Sequence, residues 1–367
     1  MKIIDKHLLK EISINYVFSH LILILVFFIV KLADLIDKLL SGNIDFFSLV
    51  KLIILLLPSL NSFIFPIATL SSILFTFSYM SSNNEIIALK SAGVSPLRLI
   101  RIPVLFGFII FFIAIFNNLI IVPYSTKKFF LEFREIAKNK IFNSLTEKTF
   151  NEIVPNLIFF PDKVNKKKHL IKNLFIYDNT QKKEQIITAT SCNYFANNEK
   201  IIFNLNNGEI HIKGKNENYQ ILKFQEYKFY FNLKMLEKGI NIKLKDKESS
   251  ISYLKKKIKI AKSKGNLKRV RFLKMEIYKR YSLPFACIIF ALLAIPFGLT
   301  NVKNAKSYSI LILILNIFVY YTLIAISSNL VKKGDISPFI GAWLPNLIFI
   351  IITSLLLYLC EKEKWLF

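Results

Sequence analysis

The 367-residue chain holds little of what disulfide-stapled folds and metalloproteins are built from: 3 cysteines, 4 histidines and 2 tryptophans. Cys192, Cys287 and Cys360 are odd in number and far apart, and two of them lie in apolar runs, so neither a disulfide framework nor a zinc site is expected. His7, His20, His169 and His211 show no metal-ligand spacing, and no metal or other cofactor is expected. The absence of a G-x-x-x-x-G-K-[ST] loop excludes a P-loop ATPase, and no G-x-S-x-G nucleophile elbow occurs. Acid is scarce as well: 24 Asp and Glu stand against 50 Lys and Arg, a net charge of +26. Such a surplus suits nucleic acid or anionic lipid. There is no RNP-like strand pair, no paired Cys/His set and no basic helix outside a membrane context, so no nucleic-acid partner is expected. Lysine far outnumbers arginine, and Ile, Asn and Phe are abundant, a composition that A+T-rich coding also produces.

What is present is long apolar sequence. Residues 12–30 are uncharged and, at 1.5 Å per residue, span about 28 Å, enough for the hydrocarbon core of a bilayer. Lys2, Lys6 and Lys10 precede this run; it is long for a signal-peptide core and no small-x-small cleavage site follows, so a first membrane span is expected. His20 lies within it and is expected to find a hydrogen-bond partner in a helix bundle. A second run, 46–79, contains Pro58 and Pro66, which predicts a bent span with an interfacial lead-in. The third is expected over 99–122, ended by Pro123, and three more over 281–299, 308–330 and 338–360. The fold class is therefore a polytopic α-helical membrane protein with six spans in two sets of three.

Between Pro123 and Arg280 no stretch is apolar enough to span. Glu209–Lys213 and Glu226–Phe231 alternate with period two, as half-buried strands do. Asn207-Gly208 suits a two-residue type I′ turn, which would set Leu205 opposite Ile210 and Phe203 opposite Ile212. An inserted antiparallel β domain is expected, sandwich or barrel. From 250 to 280 the pattern turns helical: Ile251, Leu254, Ile258 and Ala261 share a stripe, Gly265 interrupts, and Glu276 and Arg280 form an i,i+4 pair.

The stretch from Met80 to Arg98 is short and polar and lies between two spans. Ser82 with Glu85 has capping-box spacing, Gly93 suits a left-handed C′ position, and Ser95-Pro96 suit N-cap and N1 of the next helix. A docked stub helix of about ten residues is expected. Residues 82–95, Ser-Asn-Asn-Glu-Ile-Ile-Ala-Leu-Lys-Ser-Ala-Gly-Val-Ser, resemble the signature loop of the lipopolysaccharide-export permeases, the LptF/LptG family. Lys274–Ala286, with Leu-Pro-Phe-Ala at the head of the fourth span, and Pro338–Asn346, with Trp343 suited to the interfacial belt, resemble two further family segments.

The resemblance extends over nearly the whole chain and implies specific roles. Glu85 falls on the acidic position, Ile86 and Leu89 on the apolar positions, and Ala92 and Gly93 on the small end of a coupling helix that sits on a cytoplasmic ABC ATPase dimer. It implies transmembrane half 1 over 1–123, a periplasmic β-jellyroll-like domain over 124–248, a connecting helix over 249–280 and transmembrane half 2 over 281–367. The implied partners are a related permease subunit in a heterodimer, the ATPase dimer and a periplasmic β-jellyroll bridge protein. The implied substrate is lipopolysaccharide, and the chain would be a transport subunit rather than an enzyme. Lys31, Asp34 and Lys38 continue the first span as an amphipathic helix. They suit intrahelical ion pairs, while the resemblance places Lys31 and Lys38 where lipopolysaccharide phosphates enter.

Six spans put both termini, the 80–98 loop and the Asn301–Lys306 loop on one side, with ten Lys and Arg (Lys2, Lys6, Lys10, Lys90, Arg98, Arg101, Lys303, Lys306, Lys362 and Lys364) against five in the short loops opposite (Lys31, Lys38, Lys51, Lys332 and Lys333). The positive-inside rule then expects cytoplasmic termini, with the β domain on the other side; the resemblance implies that the membrane is a bacterial inner membrane and that side the periplasm. The basic run 255–280 falls on the outer side against that count. A membrane-embedded enzyme of envelope lipids, or a non-transporting scaffold, stands as the alternative function.

Overall fold

The computed structural model describes residues 3–39, 46–94, 96–154, 156–165, 168–180, 184–196, 200–213, 219–232, 249–299 and 305–362. The first part of the chain forms α1 (Ile3–Leu39), α2 (Phe46–Ser82), α3 (Glu85–Ser91), α4 (Pro96–Phe116), a π-helical turn (Asn117–Ile121) and α5 (Val122–Ser144). Strands β1 (Asn151–Val154), β2 (Leu157–Asn165), β3 (Leu170–Asp178), β4 (Gln185–Ala196), β5 (Lys200–Lys213) and β6 (Tyr219–Asn232) follow. The chain closes with α6 (Ile251–Ser263), α7 (Leu267–Gly298), α8 (Ala305–Lys333) and α9 (Pro338–Lys362). Among the described residues, six stretches are long and apolar enough to cross a membrane: Ile3–Val30, Phe47–Ser82, Arg98–Ile136, Leu267–Gly298, Tyr308–Lys333 and Pro338–Leu359. These are the six expected spans, with an antiparallel sheet inserted between the third and the fourth. The chain forms two compact units, one of residues 1–32, 54–127 and 245–367, the other of 33–53 and 128–244.

In the helical unit the core collects around α7, whose Ala286, Cys287, Phe290, Ala291 and Ala294 are fully buried. Small residues set the close helix approach. A Cβ on Gly107 of α4 would lie 2.7 Å from the Ala291 Cβ and 3.2 Å from the Cys287 carbonyl, and one on Gly298 would lie 2.5 Å from the Phe77 Cβ. In a bilayer, where lipid tails are as apolar as leucine, helix association draws on this dispersion contact and on interhelical hydrogen bonds. Tyr320 supplies one such bond, donating to Asn346 Oδ1 at 2.8 Å, while Asn346 Nδ2 donates to the Ser282 carbonyl at 2.7 Å.

Pro123 does not end the third span. The helix runs on through α5 because the π turn precedes the proline: the Val122 N–H reaches back five residues to the Asn117 carbonyl. A turn widened by one residue gives room to a ring that would clash with a carbonyl in a regular α-helix. The segment beyond the β domain also differs from one connecting helix. The 6→1 and 5→2 bonds that end α6, Asn266 N–H to Ala261 and Gly265 N–H to Lys262, both at 3.0 Å, form a Schellman motif around Gly265 at φ +67°. Asn266 then caps α7 by accepting the Arg269 N–H at 3.0 Å, and α7 continues unbroken into the fourth span through Pro284.

Among the described residues the β unit is one six-stranded antiparallel sheet with its strands in sequence order. Its core holds Phe159, Ile176, Ile187, Cys192, Phe203, Leu205, Phe229 and Phe231. Asn207-Gly208 makes no hairpin. β5 passes straight through it, with Leu205 paired to Cys192 and Tyr227, and Ile210 to Ile187 and Leu222. Asn207 does take positive φ, +49°, as does Asn173 at +47° in β3. The purpose is a corner. At one level β2 to β6 carry polar pairs, 162–163, 172–173, 190–191, 206–207 and 225–226, none of whose ten residues is buried, and in β3, β4 and β5 buried positions resume on either side with the alternation slipped by a residue. Short polar side chains tolerate the left-handed conformation that such a slip requires. A Cβ on Gly208 would sit 1.9 Å from the Thr188 carbonyl, so the bend also needs glycine for close strand approach.

Candidate functional site

The loop after α2 folds as a docked stub, in part by other means than expected. Ser82 is the last residue of α2, and its Oγ donates to the Tyr79 carbonyl at 2.9 Å, so it finishes its own helix rather than capping the next. Asn83 and Asn84 make the turn, with Asn84 at φ +59° and its carbonyl accepting the Ala88 N–H at 3.0 Å. α3 is 7 residues long. Gly93 is the left-handed C′ residue, φ +76°, and the Val94 N–H closes the 6→1 bond to Leu89 at 3.0 Å. Pro96 opens α4; Ser95 lies outside the described residues.

Ile86, Leu89 and Val94 are half-buried and pack against the core of the helical unit. Ile87, Ala88, Ser91, Ala92 and Gly93 are exposed, Ile87 by 50%. Of the five residues expected to couple, Ile86 and Leu89 anchor the stub to its own chain, and Ala92 and Gly93 face outward. Glu85 is half-buried and borders a hollow of about 610 Å³ with His7, Glu11, Asn15, Thr76 and Tyr79. Arg98, just past the stub, grips Asp5 of α1 with Nε at 3.2 Å and Nη2 at 3.5 Å. The rim of this end of the bundle is thereby braced to α1.

The middle of the third span carries a polar latch that the sequence analysis did not single out. Asn117 Nδ2 donates to the Pro58 carbonyl at 2.9 Å and the Ser62 hydroxyl donates to Asn118 Oδ1 at 2.5 Å. Successive residues on a helix point about 100° apart. The π turn is what lets both asparagines reach α2, and π turns recur at functional sites. The available signal was an Asn-Asn pair inside the uncharged run 102–126.

His20 is held by aromatic contact, its ring stacked between Tyr16 and Phe65 at 5.4 and 5.3 Å; no hydrogen-bond partner of its Nδ1 occurs among the described residues. Glu276 meets Lys279 at 3.3 Å, and Arg280 donates to the Ser249 carbonyl, with Glu276 and Arg280 each 5% exposed. Trp343 packs between Phe285 and Phe339. The helix α1 passes through Lys31, Asp34 and Lys38, whose side chains lie outside the described residues. In the β unit, burial pushes the Cys192 thiol up to about 12 and raises the Tyr194 and Tyr227 hydroxyls above their usual range. A thiol so held is a core residue, not a nucleophile.

Residues 6–359 match the family model described as "Lipopolysaccharide export system permease LptF/LptG". The chain is also 29% identical over 228 residues to a Rickettsia prowazekii (strain Madrid E) protein described as "Uncharacterized protein RP871", an alignment covering 61% of this chain and 58% of that one.

Proposed function

We propose that this chain, which belongs to the LptF/LptG family of lipopolysaccharide-export permeases, is one half of a permease pair that draws lipopolysaccharide from the membrane with energy from a separate ATPase. The family match over residues 6–359 carries this reading. The low burial of two spans supports a partner permease. Only 6% of the first span and 17% of the fifth is buried within the chain, against 72% of the fourth. Apolar faces such as Val17, Leu21 and Leu25 on α1 and Leu311, Ile314 and Phe318 on α8 are open to a second subunit or to lipid.

The stub α3 suits a transmitter. Its inner face is fixed to the bundle core by Ile86, Leu89 and Val94, so a push on its outer face moves the bundle. We assign that outer face, with Glu85 at its head, to a cytoplasmic ABC ATPase dimer. The termini lie on the same side, in line with the charge count above, and the β unit stands in the periplasm. There its sheet edge is available to a β-jellyroll bridge protein by strand addition. Lys31 and Lys38 meet lipopolysaccharide phosphates at the outer end of span 1, with Asp34 between them.

Glu85→Lys tests the proposal. It should abolish lipopolysaccharide export and co-purification of the ATPase while leaving the protein inserted and folded; wild-type export by that variant would refute the coupling role. Neutralising Lys31 and Lys38 together should cut lipopolysaccharide crosslinking, whereas Asp34→Asn should be mild. The reverse order of damage would leave those lysines as an intrahelical pair.

A further inference from the structure

Residues 249–275 carry eight lysines and two arginines and no acidic residue. Some have structural work: Arg271 binds three carbonyls at the end of α8, Lys257 lies 4.8 Å over the Tyr253 ring and Arg269 5.5 Å over Phe272. Lys255, Lys259 and Lys262 are exposed. Their i, i+4, i+7 spacing puts them on one stripe of α6, about 100° round the helix from the buried Leu254 and Ala261 that face α7.

The direction of that stripe decides what it fits. Arg280 donates to the Ser249 carbonyl, so α6 starts at the level where α7 turns from charged to apolar sequence at residues 280–281. α6 then runs antiparallel to α7, away from the apolar stretch, until the turn at Gly265. Measured from Ile251 at 1.5 Å per residue, Lys255, Lys259 and Lys262 stand about 6, 12 and 17 Å further out. They form a ladder rising from the membrane edge, not a row lying along it. At physiological salt the Debye length is about 8 Å. A flat anionic bilayer surface therefore reaches the lowest lysine and is screened from the highest.

A ligand that meets all three must carry anions at successive heights. We infer that the Lys255–Lys259–Lys262 stripe binds the anionic saccharide head of the exported glycolipid, the phosphate- and carboxylate-bearing sugars beyond the acylated anchor. This rests on the proposed function, and it adds a contact for a part of the substrate that the span 1 lysines do not address.

The test uses the full chain co-purified with its partner subunits in nanodiscs, comparing wild type with Lys255→Gln/Lys259→Gln/Lys262→Gln and with the matching triple arginine variant. Three probes are offered: lipopolysaccharide with its core saccharide, the acylated anchor without core sugars, and phosphatidylglycerol vesicles. The glutamine variant should lose affinity for core-bearing lipopolysaccharide by roughly tenfold at low salt. Its affinity for the anchor alone should be unchanged, and the arginine variant should match wild type. The difference should vanish near 1 M salt, where the Debye length is about 3 Å. Equal loss for the anchor or for the vesicles would overturn the inference, since the stripe would then read a lipid surface; unchanged binding of all three probes would overturn it too. A wild-type complex that binds neither glycolipid would instead refute the proposed function from which the inference starts.

Discussion

Thr190 donates its hydroxyl to the Asn207 carbonyl at 2.9 Å, at the level where β4 and β5 each turn two successive side chains away from the core. Asn173 Nδ2 donates to Asp162 Oδ2 at 3.3 Å on the same level of the neighbouring strands. The corner is thus tied strand to strand by polar side chains, which suits a place where backbone pairing is interrupted.

Gly208→Val should disrupt the β unit, because the new side chain has no room against the Thr188 carbonyl and the Phe224 ring. Asn207→Gly should be tolerated within about 1 kcal/mol, since glycine takes positive φ readily. Asn207→Val should cost about 1–3 kcal/mol through strain. Protease resistance of the β unit in the detergent-solubilised full-length protein measures all three.

The two faces of α3 should separate in mutagenesis. Ile87→Asp should weaken ATPase association with stability changed by no more than about 0.5 kcal/mol. Leu89→Ala should lower stability by about 1–2 kcal/mol, because Leu89 is half-buried against the bundle core. Co-purification and thermal melting, run side by side, distinguish the two effects, and loss of association from Leu89→Ala alone would reverse the assignment of faces.

Arg271 should act as a side-chain cap on α8. Its Nε and Nη2 meet the carbonyls of Val331, Lys332 and Lys333 at 3.0–3.1 Å beside Gly334 at φ +108°. Arg271→Ala should cost about 2 kcal/mol, and lysine should restore only part of it, having no planar fork to reach several carbonyls at once. Faster proteolytic cutting in the 334–337 turn would report the loss.

Alkali should weaken the β unit through Cys192. In the unfolded chain its thiol ionises near 9, whereas in the fold it keeps its proton to about 12. Above pH 9 the unfolded state therefore binds fewer protons than the folded one, so stability falls as pH rises through that window. Tyr194 and Tyr227, also raised by burial, add to the same slope. Cys192→Ala should flatten the pH dependence of unfolding between pH 9 and 10; an unchanged slope would place the effect elsewhere.

The six spans were legible because apolar runs of sufficient length have few other uses, and Gly93 because a polar stub between two spans needs a left-handed stop. The misreadings have a common source. Asn207-Gly208 announces positive φ, but a hairpin and a corner both use it, and both shift the in–out alternation of Phe203, Leu205, Ile210 and Ile212 by one. Only the partners, Cys192 and Ile187 on the preceding strand, 13 and 23 residues earlier in the chain than Leu205 and Ile210, decide between them. Ser82 likewise has the right neighbour for a capping box, yet the preceding helix reaches it first. Pro123 signals a stop by itself, because the π turn that accommodates it goes with Asn117 and Asn118 finding an acceptor and a donor on α2, a long-range condition. The hollow beside Glu85 draws on α1, α2 and α8, and no local spacing marks it.

The π turn also takes up a residue. In a regular α-helix one added residue would rotate everything after it by about 100°, whereas a turn closed by an N–H reaching back five residues absorbs it locally. Deleting a single residue from 117–121 should therefore return an ordinary α turn, bring the Pro123 ring against a carbonyl and cost a side-chain bond from Asn117 or Asn118 to α2. Length in this segment is therefore under tighter constraint than composition. Substitutions there should be graded in effect, and a deletion of one residue more damaging than any of them, which a length-scanning series read by protease resistance would show.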